Sequence, residues 1–254
     1  MAAMPVPESD AGWYLYGVVA AGAAPPEAGA VDPRDAVVAL AEDRVAGLAS
    51  RVSLAEFDEA ALPERLADAA WLEAKIRAHE QVLESALAAS PVVPCRFCTV
   101  YRDEHELRRF LGDRADVLAL TLERLEGRVE LGVKAFAPGA PPSEAAEAES
   151  GRAYLEARRR EKQEREELAR SRATIAHDLH RRLLAAADDG VLLDLQSREL
   201  SGRDADMVFN GSYLVADRAR FEHAVANAAP DGLELELTGP WPPYNFVPEE
   251  LGRP

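Results

Sequence analysis

The sequence predicts an α+β protein of two domains, with a boundary near residue 127. Three observations carry that expectation. Apolar runs of strand character alternate with stripes of helical spacing, in no strict βα repeat. A Pro/Ala/Glu stretch at 137–150 interrupts the second half of the chain. The 254 residues, 48% hydrophobic and 29% charged, suffice for two modest cores.

Trp13-Tyr-Leu-Tyr-Gly-Val-Val19 is continuously apolar, aromatic and β-branched, and reads as a central strand buried on both faces. Two short strands follow at 36–40 and 45–53. Leu72, Ile76, His79, Leu83 and Ala86 form one stripe of a helix that Ser90-Pro91 ends. Val92–Tyr101 reads as a single further strand, and Pro94 assigns it to an edge or a bulge. Asp103 and Glu106 form a capping box for a helix carrying Leu107, Phe110 and Leu111, with Gly112 as its stop. A second helix over 113–126 completes an N-terminal mixed α+β domain, residues 1–127.

Val129, Leu131, Val133 and Ala135 alternate with polar or small residues, which is a half-buried strand. The stretch 137–150 cannot build a core and reads as a linker. A long helix covers about 151–187. Strand alternation returns at 191–199 and 207–215, and Asp217 caps a helix with Phe221, Ala224, Val225 and Ala228 on one face. Pro230-Asp-Gly232 then turns the chain into a last strand at 233–238. The order βαββαβ lets two helices cover one face of a four-stranded antiparallel sheet. Residues 128–254 are therefore expected to be a ferredoxin-like domain with a long, partly solvated helix and a Pro/aromatic tail.

A net charge of −16 opposes binding to a phosphate backbone, so no nucleic-acid partner is expected. The longest uncharged apolar stretch, Ala11–Pro26, is short for a membrane span and is broken by glycine and proline. No basic residue precedes Arg34, so the start lacks the charged lead of a signal peptide. The expectation is a cytoplasmic protein with no membrane partner.

Cys95-Arg-Phe-Cys98 has the spacing of a redox or zinc pair, but no second cysteine pair completes a zinc site. Inside a strand, a separation of three would point the thiols to opposite faces. Two unpaired thiols are expected. His177 and His180 lie one turn apart on a helix and read as a solvated face. His79 sits on an apolar stripe and reads as a hydrogen-bonded core histidine. There is no Walker loop, GxGxxG, GxSxG or EF-hand pattern. Neither catalytic, cofactor nor metal residues are assigned, and no enzyme activity is expected.

Glu156–Glu167 is almost wholly charged, with Glu156/Arg160, Glu161/Arg165 and Glu166/Arg170 in the favourable i, i+4 order. Leu237-Thr-Gly-Pro-Trp-Pro-Pro-Tyr-Asn-Phe-Val247 hangs three large aromatics from a stiff backbone, and something must cover them. A seat between the long helix and the N-terminal domain is expected.

Four segments resemble the gas vesicle protein L/F family. They are Trp13-Tyr-Leu-Tyr-Gly17, Val93-Pro-Cys-Arg-Phe-Cys-Thr99, Gly151-Arg-Ala-Tyr-Leu155 and the tail just described. The family's mid-chain motif usually reads Pro-Val-Arg-Phe-Gly-Thr, so Cys95 and Cys98 depart from it. The resemblance implies two α+β domains, the second ferredoxin-like. It also implies a cytosolic, non-enzymatic protein of gas vesicle assembly that binds the hydrophobic shell protein GvpA, and other accessory proteins with it. Trp13, Tyr14, Arg96, Phe97, Trp241, Tyr244 and Phe246 are then the partner-binding or domain-docking residues. An apolar patch on the N-terminal sheet would suit that role, whereas a polar pocket of converging titratable groups would suit a ligand-binding or enzymatic ferredoxin-like protein. A purely structural vesicle component is the third reading.

Overall fold

A computed structural model describes residues 10–57, 60–138, 151–229 and 232–248. It divides into two compact units, Met1–Val129 with Trp241–Pro254, and Glu130–Pro240. No helix among the described residues is long and apolar enough to cross a membrane.

In the first unit, the strands β1 (Ala11–Ala20), β2 (Val38–Glu42) and β3 (Val45–Ser53) precede three helices. These are α1 (Leu54–Phe57), α2 (Leu62–Ala67) and α3 (Ala69–Ala89). Two short strands, β4 (Val93–Pro94) and β5 (Val100–Tyr101), and the helices α4 (Glu104–Asp113) and α5 (Ala115–Leu125) follow. The sheet order is β2-β3-β1-β4, with β5 also on β1, so β1 is central. Tyr14 to Val19 are all buried. Alternation explains it: Tyr14 and Tyr16 meet His79 of α3, while Leu15 approaches Gly47 beside Leu111 of α4. Helices thus cover both faces of β1, whose apolar side chains are used inside the unit.

The chain from Val92 to Tyr101 departs from a single strand. Pro94 pairs with Gly17 and Val100 with Tyr14, so residues 95–99 oppose only Leu15 and Tyr16. The surplus loops out, and Thr99 closes it by donating from its N–H (3.2 Å) and hydroxyl (2.7 Å) to the Arg96 carbonyl. Cys95 and Cys98 lie in this loop, so strand alternation does not set their directions. Elsewhere the local signals act as read. Asp103 caps α4 by accepting from Glu106 N–H at 2.8 Å, and Asp68, not singled out in the sequence, caps α3 by accepting from Ala70 and Trp71 N–H. The buried stripe of α3 is His79, Val82, Leu83 and Ala86, whereas Ile76 is exposed.

The second unit contains β6 (Val129–Ala137), α6 (Gly151–Leu184), β7 (Asp189–Leu192) and α7 (Arg198–Ser201). Then come β8 (Asp206–Val215), α8 (Arg218–Ala228) and β9 (Glu234–Trp241), in the sheet order β7-β8-β6-β9. The ring of Tyr213 lies 5.1 Å from Phe221 of α8 and 5.7 Å from His180 of α6. Both helices therefore pack on the face of β8 that carries Tyr213. Asp217 caps α8 through Arg220 N–H at 2.9 Å.

The strand expected over 191–199 is shorter and earlier. Leu193 N–H still donates to the Asn210 carbonyl (2.9 Å), but Asn210 Nδ2 then takes the Asp194 carbonyl (2.8 Å) and pairing stops. Ser197 instead caps α7, and Gly202, at φ 66°, ends it. On α6, Glu166 pairs with Arg170 at 3.7 Å as read, while Glu156 takes Arg152 (3.0 Å) and Glu161 takes Arg158 (3.5 Å). The linker from residue 139 and the turn at 230–231 lie outside the described residues.

The tail was expected to belong to the C-terminal domain, yet from Trp241 onward it groups with the first unit. Strand β9 runs through Pro240 at the edge of its sheet, the setting in which a strand tolerates proline. Beyond it, Tyr244–Phe246 forms a 3-10 turn with Phe246 buried.

A Cβ at Gly17, the glycine of the first motif, would stand 2.8 Å from the Val93 carbonyl oxygen and 2.9 Å from Leu83 Cδ2. Gly17→Ala is expected to cost about 1–3 kcal/mol of stability. It should lower the urea midpoint without changing the slope; a wild-type midpoint would mean that β1 and β4 can part freely.

Candidate functional site

The motif residues converge on one buried side chain, His79, which has no exposed surface. From β1, Tyr14 Oη lies 2.9 Å from His79 Nδ1. From the tail, Tyr244 Oη lies 3.1 Å from His79 Nε2. The loop between β4 and β5 adds Cys98 N–H, which donates to Tyr14 Oη at 3.0 Å. The neighbour Glu80 accepts from the Tyr244 hydroxyl at 3.0 Å.

The donors and acceptors fix the protons. A carboxylate only accepts, so Tyr244 gives its proton to Glu80 and accepts from His79 Nε2–H. His79 Nδ1 is then the acceptor for the Tyr14 hydroxyl, which itself accepts from Cys98 N–H. Every member is satisfied by a neutral imidazole protonated on Nε2. Burial pushes His79 down to about 4, with the Cys95 backbone working against it, so the ring stays neutral at physiological pH. Burial also raises Glu80 and drives Tyr14 well above the usual phenol range.

Aromatic packing completes the cluster. Tyr16 stacks on His79 with centroids 5.7 Å apart, and Phe97 meets the same ring edge-on at 5.9 Å. Tyr16 Oη also lies 2.8 Å from Ser50 Oγ and accepts from Val31 N–H at 2.9 Å. Phe246 is buried, and its carbonyl accepts from Arg124 Nη1 of α5 at 3.4 Å. Of the residues singled out in sequence, Tyr14, Phe97, Tyr244 and Phe246 are thus framework. Trp13 is half-buried, with the Arg51 guanidinium 5.4 Å over its ring, while Arg96 and Trp241 are exposed. Glu80, Tyr16 and Ser50 were not picked out. The signal that could have found Tyr16 is its same-face spacing from Tyr14.

Cys95 and Cys98 are free thiols, pushed by burial up to about 12 and about 11. Neither carries the lowered pKa of a reactive cysteine. His180 Nδ1 lies 3.0 Å from Tyr213 Oη, which ties it to the sheet of the second unit. Among the described residues no group of three or more His, Cys, Asp or Glu side chains could hold a metal ion.

The fold and the cluster together define an α+β scaffold whose signature tyrosines are joined by hydrogen bonds through one buried histidine. The chain belongs to the GvpL/GvpF family of gas vesicle synthesis proteins, whose model matches residues 12–248. It is 40% identical to gas vesicle protein L of a Streptomyces species, over 77% of each chain. It is 30% identical to gas vesicle protein F2 of Halobacterium salinarum, over 88% of this chain and 92% of that one. The crystal structure of GvpF from Anabaena sp. PCC7120 superposes with a TM-score of 0.68, covering 93% of this chain and 95% of that one. At 21% identity, that likeness speaks for the fold alone.

Two measurements probe the cluster. Between pH 6.5 and 4 an unfolded imidazole takes up a proton that buried His79 refuses, so stability falls as pH is lowered through that window. The loss amounts to about 3 kcal/mol, complete below pH 4. The difference between wild type and His79→Gln, followed by denaturation at each pH, should shrink as pH falls from 6.5 to 4; a constant difference would mean that His79 titrates normally.

Cys98 has φ 64°, the left-handed region that favours glycine. Cys98→Gly should therefore be tolerated, while Cys98→Val should cost on the order of 2 kcal/mol. Equal melting temperatures for the two variants would show that the loop relaxes to suit either residue.

Proposed function

We propose that this chain is an accessory protein of gas vesicle assembly that binds the shell protein GvpA and limits its aggregation before delivery. The observation that carries the reading is the family match over residues 12–248. A subunit that builds a gas-facing wall exposes apolar surface before it assembles, and such surface invites edge-to-edge association. A soluble binder with a net charge of −16 would keep the complex dispersed. The role needs no catalysis, and it places the protein in the cytoplasm and at the vesicle, in contact with other accessory proteins. Exposed Arg96 and Trp241 are the motif residues best placed for such contacts.

The same reading takes the chain as two domains, with the second ferredoxin-like. The order β7-β8-β6-β9 supports it, because the first and third strands of the βαββαβ series are central and the second and fourth are outer.

Co-expression with GvpA tests the proposal. Most of the shell protein should stay in the soluble fraction with this chain present and pellet without it. Equal pelleting in the two cases would overturn the chaperone role.

A further inference from the structure

The second unit carries an open apolar groove of about 480 Å³ between α6 and the β7–β8 side of its sheet. Leu168, Ala169 and Ala173 form one wall, and Leu193, Leu195 and Phe209 line the other. Leu168 is 41% and Leu195 56% exposed, an unfavourable use of leucine on an uncovered surface.

The charge beside this groove has the opposite sign to the protein as a whole. Helix α6 carries ten basic and six acidic side chains, a local +4 in a chain of −16. Arg158, Lys162, Arg165 and Arg172 follow one another at spacings of four, three and seven, so they share the side of α6 that lines the groove. Arg165 has no ion-pair partner among the described residues. Arg172 is held by Asp206 through Nη2 at 3.1 Å, but its Nε is buried with no hydrogen-bond acceptor among the described residues. A leucine-lined floor therefore meets a basic ridge with an unused donor.

We propose that this groove docks an amphipathic segment of another protein, one that presents leucine-like side chains to the floor and a row of carboxylates to the ridge. Two copies of this chain, each at −16, repel one another at long range, which disfavours self-association. The cations from Arg158 to Arg172 span about 21 Å of helix, more than the single carboxylate of a fatty acid could use. A helical segment of about four turns matches that length. The proposal goes beyond GvpA binding, because any vesicle protein carrying such a segment would fit.

A labelled synthetic helical peptide with leucines on one face and glutamates along the flank is the probe, titrated into the full chain by fluorescence anisotropy. A second peptide has lysine in place of each glutamate. The glutamate peptide should bind saturably and about tenfold more tightly than the lysine peptide. Arg165→Glu and Leu195→Asp, both at exposed positions, should each weaken it about fivefold or more with the melting temperature unchanged. Leu168→Asp serves in place of either variant that fails to fold. No saturable binding, equal affinity for the two peptides, or wild-type affinity in the variants would overturn the proposal. So would a dimer of the wild type that Leu195→Asp dissociates, or tighter binding of oleate than of the glutamate peptide.

Discussion

A fully buried histidine must find partners for both ring nitrogens inside the protein, because a bare donor or acceptor there costs about 1–3 kcal/mol. His79 meets that demand with Tyr14 on one side and Tyr244 on the other. Those partners come from opposite ends of the sequence, 65 residues before and 165 after it. The central strand, the helix α3 packed on it, the β4–β5 loop and the tail are therefore joined through one imidazole. Removing any hydroxyl leaves the next member unpaired, so the network holds or fails as a unit. The tail's stiff prolines suit this use, since a preordered backbone loses less entropy when Tyr244 is seated.

What the sequence made legible follows from how local each cause is. Strands β1 and β3, the buried stripe of α4, and the caps Asp103 and Asp217 rest on neighbours within a few residues, and each can be read from periodicity or capping chemistry. The break in 92–101 could not be read this way. Its strand propensity is continuous, and only pairing with β1 reveals that five residues oppose two. Likewise 191–199 alternates well enough for a strand, but Asn210 spends its side chain on the Asp194 carbonyl and ends the ladder. The seat of the tail depends on a partner 165 residues away, and the leucine groove on two elements that meet only in the fold.

The motif residues themselves mark backbone and core constraints more than a contact surface. Gly17 is hemmed by the Val93 carbonyl, and Cys98 occupies a left-handed position suited to glycine. Tyr14 and Tyr244 are committed to His79. A side chain with its polar end satisfied and its ring packed has little left to offer a partner. The part of the candidate site that faces solvent is narrower, namely Arg96 and Trp241, with Phe97 and Trp13 half-covered.

Recognition is then better served by surfaces that the internal network leaves alone. The charge distribution points the same way. If the acidic excess were spread evenly, α6 would share it, yet this helix is locally positive and has leucines exposed along its groove. A helix needs neither feature for its own stability, since its i, i+4 pairs serve equally well with balanced charge. Uncovered leucines lower solubility and neighbouring like charges along the ridge repel one another, so both features cost something in the free chain. A partner that buries the leucines and neutralises the arginines would offset both costs at once, while the −16 of the whole keeps the unbound protein in solution. Binding at such a surface would weaken with salt through the ridge and persist through the floor, a combination that neither a purely ionic nor a purely apolar contact gives.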